Sequence, residues 1–135
     1  MKNEFIPYEE ALALKELGFD EMYFGQYFVF EGESEPILCY DEDQYHIVKD
    51  NPNVKIETIL SPTYSQAFRW FREKYKLISY INEYNKDGGL WIKIKESRNI
   101  EVLYSELTSF DINEYEEAEL ACLRKLIELL KPKQR

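Results

Sequence analysis

Residues 79 to 95 read SYINEYNKDGGLWIKIK, and the Asp87-Gly88 pair at their centre constrains the fold more than any other dipeptide in the chain. Asp and Gly tolerate the positive φ of a tight hairpin turn, and the stretches on either side favour extended backbone. The spacing predicts two antiparallel strands, Ser79 to Asn85 and Leu90 to Lys95. In the second, Leu90, Ile92 and Ile94 alternate with Trp91, Lys93 and Lys95. One face is therefore apolar and meant for helices, and the other carries an indole and two ammonium groups.

A period of two also marks Met22 to Phe30, where Met22, Phe24, Phe28 and Phe30 alternate with Tyr23, Gly25, Tyr27 and Val29. Pro36 to Tyr40 is the expected hairpin return, and Ile100 to Tyr104 a further strand. Residues 41 to 53, DEDQYHIVKDNPN, read as an irregular acidic loop.

Three segments place Tyr three residues before Ala: PYEEAL from Pro7, TYSQAF from Thr63 and EYEEAE from Glu114. Pro7 suits a first helical position and Gly18 a C-terminal stop. Thr63 and Gln66 have capping-box spacing, and Asp111 or Asn113 can cap the third helix. Helices are expected near 7 to 17, 63 to 76 and 114 to 130. The resulting order, αββ-αββ(β)-α, predicts an α+β fold: an antiparallel sheet of about four or five strands with three helices packed mainly on one face. A chain of 135 residues fits a single domain.

The stretch SPTYSQAFRWFREKY, residues 61 to 75, mixes two arginines and a lysine with aromatic rings. Projected at about 100° per residue, Tyr64, Ala67, Phe68, Phe71 and Tyr75 form one apolar arc. Arg69, Arg72 and Lys76 collect on one flank, and Trp70 lies on the other beside Lys74. The cations do not interleave with the rings on one surface, as a base-stacking platform requires. A solvated flank near a helix C-terminus, where cations are favoured, is the expected reading, with an anion contact at Arg69, Arg72 and Lys76 as the alternative.

A better aromatic and basic surface is the strand face bearing Trp91, Lys93 and Lys95, with Tyr23 and Tyr27 as candidate neighbours. Single-strand nucleic-acid binders use such a face, and so do protein-binding sheets. The glycine and aromatic signature of an RNA-recognition motif is missing.

Charge is distributed unevenly. The net charge is −9, yet residues 1 to 60 hold fourteen carboxylates against four lysines, while residues 61 to 100 carry +4. The acidic surface repels phosphate and attracts a basic protein, with Asp41, Glu42 and Asp43 as candidate contacts.

Catalytic and metal signatures are sparse. His46, the sole histidine, follows Cys39 at a spacing that matches no zinc pattern. An EF-hand loop begun at Asp41 puts His46 where glycine is obligatory and Pro52 where the bidentate glutamate belongs. A Cys39 nucleophile with a His46 base is a third and weakest functional reading. No phosphate-binding glycine loop, nucleophile elbow or HExxH motif occurs, so neither cofactor nor metal is expected. In the last helix Tyr115, Ala118, Cys122, Leu126 and Leu129, widened by Leu120, Leu123, Ile127 and Leu130, form a broad apolar arc that predicts a packed Cys122 thiol. The two cysteines lie far apart and the N-terminus lacks the apolar run of a signal peptide, which predicts a cytoplasmic protein without a membrane segment.

The blocks FIPYEEALALKELGF, SPTYSQAFRWFREKY and YEEAELACLRKLIELL resemble a group of small proteins, without an assigned activity, from Bacteroidetes-type bacteria and their phages or mobile elements. The resemblance covers the three helices, under half of the chain. It implies an accessory protein of a bacterium or its phage and brings no catalytic or binding residue with it. The leading expectation is a small acidic non-enzymatic protein acting through protein contact, with homo-oligomers allowed. The alternative is a single-stranded nucleic-acid binder.

Overall fold

In a computed structural model, the structure describes residues 4–20, 25–30, 36–39, 54–83, 89–98 and 101–131. They form an α+β chain in the order α1 (Tyr8–Glu16), β1 (Gln26–Phe30), β2 (Ile37–Cys39), β3 (Val54–Leu60), α2 (Tyr64–Tyr75), β4 (Leu77–Glu83), β5 (Leu90–Glu96), β6 (Val102–Leu107) and α3 (Tyr115–Leu130). The described strands make two three-stranded antiparallel sheets, β2-β1-β3 and β4-β5-β6, rather than one sheet of four or five. The backbone groups into two compact units, Met1–Thr63 and Tyr64–Arg135.

In the first unit β3 is the element that the sequence reading omitted. Its residues, VKIETIL, put Val, Ile and Thr in alternation with charged residues, a strand pattern that follows directly on the acidic sequence 41 to 53, which lies outside the described residues. β3 pairs with β1 from Gln26↔Leu60 to Phe30↔Val54, with an irregularity at Val29/Phe30. That puts β1 in the centre, with β2 on its other side through Tyr27↔Leu38.

Helix α1 packs on β3 and ends in a full left-handed cap. Gly18 adopts φ 98°, its N–H meets the Lys15 carbonyl, and the N–H of Phe19 reaches back to Leu14. Leu14 and Phe19 are both buried, which supplies the hydrophobic contact that accompanies this motif. Pro7 is the cap residue in extended conformation, one position before the helix proper.

The segment before α1 is tied to the end of β3. Phe5 bridges Thr63, and the Ile6 N–H donates to the Pro62 carbonyl at 3.0 Å. The Ile6 carbonyl accepts from both the Tyr27 hydroxyl (3.0 Å) and the buried Ser61 hydroxyl (2.9 Å). Burial, then the nearby Glu10 carboxylate, raises the Tyr27 pKa, and Ser61 partly offsets this. Gly25 lies under the Phe5 ring and against the Ser61 backbone, where any Cβ would collide.

In the second unit β4, β5 and β6 form a meander, with Leu77↔Glu96 to Glu83↔Leu90 in register on one side of β5 and Trp91↔Leu107 to Ile94↔Tyr104 on the other. Helix α3 lies across β4 and β5 and also meets α2. It buries Ala118, Cys122, Leu123, Leu126 and Ile127, and Leu90, Ile92 and Ile94 are buried on β5. Tyr115 and Leu129, part of an arc expected to be either buried or shared with a partner, are exposed, so the buried stripe is narrower than the whole arc.

A capping box at Asp111 and Glu114 precedes α3: the Asp111 carboxylate accepts from the Asn113 N–H at 2.8 Å, and Glu114 accepts from the Asp111 N–H. On α2 the buried residues are Tyr64, Ala67, Trp70 and Phe71, while Phe68 is only half-buried. The buried arc is thus rotated toward Trp70.

Candidate functional site

The outer face of the β4-β5-β6 sheet gathers the strongest candidate residues. Strand β5 is buried at Leu90, Ile92 and Ile94, so Trp91, Lys93 and Lys95 emerge on the side away from α3. Strand register then fixes their neighbours. Trp91 stands between Asn82 and Leu107, Lys93 between Tyr80 and Ser105, and Lys95 between Ile78 and Val102. The Trp91 indole N–H donates to the Ser105 hydroxyl, which pins the ring diagonally across the strand pair.

Register on β6 places Leu107, Ser105 and Val102 on this same side, opposite Trp91, Lys93 and Lys95, and Tyr104 and Glu106 on the other, with an irregularity at Leu103 between them. The far side bears this out. Tyr104 donates its hydroxyl to Glu106, and its ring lies 4.7 Å from the ammonium of Lys125 on α3. Lys125 also pairs with Glu128 at 3.2 Å. Burial, followed by the Glu106 bond, pushes the Tyr104 phenol up to about 12.

Two properties distinguish the outer face. It keeps large apolar groups in solvent: Tyr80 is 36% exposed, Val102 41% and Leu107 46%. It also segregates charge. The strand carboxylates Glu83, Glu96 and Glu106 share the parity of Leu90, Leu77 and Ile92, so register puts them on the helix side, and the outer positions carry Lys93 and Lys95 without an acidic neighbour in register. In a chain of net charge −9 this is a local basic and apolar surface.

Of the expected neighbours of Trp91, Tyr27 belongs to the first unit, where its ring meets Tyr8 edge to face at 5.4 Å, and Tyr23 falls outside the described residues. Within the second unit register sets Tyr80, Val102 and Leu107 on the Trp91 face. Sequence reasoning missed Tyr80 because Ile78 and Ile81 put one isoleucine on each face of β4, leaving its orientation ambiguous. Only the hairpin register resolves it.

The other candidates are separate. Arg69 and Arg72 are exposed on α2. Lys76 follows that helix in left-handed conformation, φ 60°, and its ammonium donates to the Glu73 carbonyl at 3.1 Å, acting as a C-terminal cap. Lys74, on the same helix, lies over the Trp70 and Tyr75 rings. Asp41, Glu42, Asp43 and His46 lie outside the described residues.

Cys39 is fully buried in β2. Cys122 is fully buried in α3, and burial pushes its thiol up to about 11, with Glu119 adding to the shift and nearby Ser79 opposing it. The Ser79 hydroxyl itself has no hydrogen bond of ordinary geometry. Among the described residues no group of three His, Cys, Asp or Glu gathers, and no helix is long and apolar enough to cross a membrane. Comparison with family models, curated proteins and solved structures yields no match.

Proposed function

We propose that the chain is a non-enzymatic protein that acts through protein contact, using the outer face of the β4-β5-β6 sheet. The observation that carries this reading is the combination of Tyr80, Trp91, Val102 and Leu107 with Lys93 and Lys95 on one face without a carboxylate in register. Exposed apolar groups next to cations that have no carboxylate in register fit a partner that is itself apolar and acidic. Trp91, held by Ser105, provides a pre-oriented ring of the kind that dominates protein interfaces. The likeness of the three helix blocks to proteins of bacteria and their phages is the support for an accessory role in such a setting.

Proteins retained by the tagged full chain should be compared with those retained by a Tyr80→Ala, Lys93→Glu variant. Loss of a specific partner in the variant, with unchanged thermal unfolding, is expected. Retention of the same partners at equal yield would overturn the assignment of this face.

The second reading, single-stranded nucleic-acid binding, uses the same Trp91, Lys93 and Lys95. It is favoured less because the indole N–H already has a partner within the sheet and the apolar groups around it are aliphatic as well as aromatic.

A further inference from the structure

The β4-β5-β6 sheet is covered on one face by α3, which lies across β4 and β5, and its outer face is as wide as one further helix. We infer that the partner lays an acidic amphipathic α-helix along β5 on that outer face. The inference rests on the face reading above and narrows it to one kind of occupant.

Register sorts the outer face into three columns. Trp91, Lys93 and Lys95 form the middle one, with Ile78 and Tyr80 beside them on β4 and Val102 and Leu107 on β6. None of these residues is buried, and Tyr80, Val102 and Leu107 are exposed. Strands about 4.8 Å apart make three columns about 10 Å wide, the diameter of an α-helix with its side chains. A helix there would complete a helix-sheet-helix stack around β5.

Backbone chemistry favours a helix over an extended segment. The N–H and C=O groups of a sheet lie in its plane, so the face offers side chains alone. An extended segment lying flat on it would press its own N–H and C=O groups against Tyr80, Val102 and Leu107 without partners, which buried backbone avoids. A helix satisfies those groups within itself.

Charge sets the sequence of that helix. Lys93 and Lys95 stand about 7 Å apart along the strand, and side chains four residues apart on a helix about 5 to 6 Å. Two carboxylates one turn apart therefore reach the two ammonium groups. Apolar residues on either side of that pair meet Ile78 and Tyr80 along one flank and Val102 and Leu107 along the other. No outer position in register with the lysines is acidic, so a basic helix would bring like charges together where an acidic one brings opposite charges. The middle column, from Trp91 to Lys95, is about 14 Å long, the length of about nine helical residues.

Short isolated helices are marginal in water, so the probes are surface-displayed libraries in which one helix of a rigid helical-hairpin carrier is randomised on its exposed face. A matched library with proline fixed at the centre of the randomised segment is the extended control. Selected on the immobilised full chain, the helical library should yield binders with Asp or Glu one turn apart between apolar residues. Their affinity should fall at least about tenfold for the Lys93→Glu, Lys95→Glu chain, with Lys93→Gln, Lys95→Gln as the milder variant if thermal unfolding shows the first to be misfolded. Binders from the proline library alone, helices lacking the carboxylate pair, an affinity indifferent to the two lysines, or no binders at all would overturn the inference. So would a doubled mass in sedimentation equilibrium that Lys93→Glu abolishes, which would put a second copy of the chain on the face instead. If a partner captured by the full chain were still lost through Tyr80→Ala, Lys93→Glu, the face reading would survive without its helix.

Discussion

The rings of Trp70 and Phe71 meet edge to face with centroids 5.1 Å apart, and the Trp70 ring meets Tyr75 in the same way at 5.4 Å. Both Trp70 and Phe71 are buried, whereas Phe68, one residue beyond Ala67, is half in solvent. Phe71→Ala should therefore cost about 3 to 5 kcal/mol. Phe68→Ala should cost clearly less, and Arg72→Gln should stay within about 0.5 kcal/mol. Urea unfolding of the three variants measures the order, and equal losses for Phe68 and Phe71 would contradict the packing described.

Gly25 is fixed by contact. A Cβ there would lie 2.5 Å from the Phe5 ring and against the Ser61 carbonyl oxygen. Gly25→Ala should destabilise by about 1 to 3 kcal/mol, as overpacking does. Truncating Phe5 should not restore the loss, because the second obstacle is backbone. Gly18→Ala, at φ 98°, should cost about 1 to 2 kcal/mol for the left-handed conformation alone.

Alkaline pH should weaken the fold through Cys122. Its thiol is held at about 11, against an ordinary value of 9.0, so the unfolded chain releases that proton first. Stability from this group is complete below pH 9 and falls as pH rises toward 11. Tyr104, at about 12, acts in the same direction at higher pH, weakened by its exposure to solvent. Thermal unfolding between pH 8 and 11 should show the decline, and Cys122→Ala should flatten its first part. In the native protein near neutral pH both cysteines should resist alkylation until the chain unfolds.

Oligonucleotide binding separates the two functional readings. A phosphate-binding face retains labelled single strands at low salt and releases them steeply as salt rises, since counterions are displaced on binding. Retention at moderate salt is not expected here. Micromolar binding lost in a Trp91→Ala, Lys93→Ala variant would promote nucleic acid over protein as the partner.

The β4-β5 hairpin was the most legible part of the sequence. The alternation from Leu90 to Lys95 predicted which residues of β5 face inward, and Leu90, Ile92 and Ile94 are all buried, while the expected Asp87-Gly88 turn lies outside the described residues. Gly18 was legible because few residue types adopt its positive φ; of Asp111 and Asn113, both expected as caps of the third helix, Asp111 caps the short turn Ile112–Glu114 that leads into it. Strand β3 was missed because Lys55 and Glu57 interrupt a short apolar run directly after an acidic sequence, so its pattern merged with the polar stretch before it.

The second error was one of flank. Around Ala67 and Phe71, Phe68 and Trp70 lie on opposite sides of the arc, and helical projection gives no reason to prefer either. That choice is made by tertiary packing, which also decided that Tyr115 and Leu129 stay outside. The outer sheet face was half legible. Its lysines and tryptophan follow from one strand, but Tyr80, Val102 and Leu107 require the register of three.

The Ile6 carbonyl and the Ser61 hydroxyl that bonds it are 55 residues apart in sequence. During synthesis Ile6 leaves the ribosome while its partner has yet to be made, and at about 5 to 20 residues per second the wait is roughly 3 to 11 s. Until Ser61, Pro62 and Thr63 arrive, Phe5 and Gly25 have no lock, and β1 lacks the strand that makes it central. The first half of this protein is therefore closed from its far end, last residues first, and a nascent chain halted before Thr63 would hold its N-terminal segment open to whatever chaperone or protease reaches it.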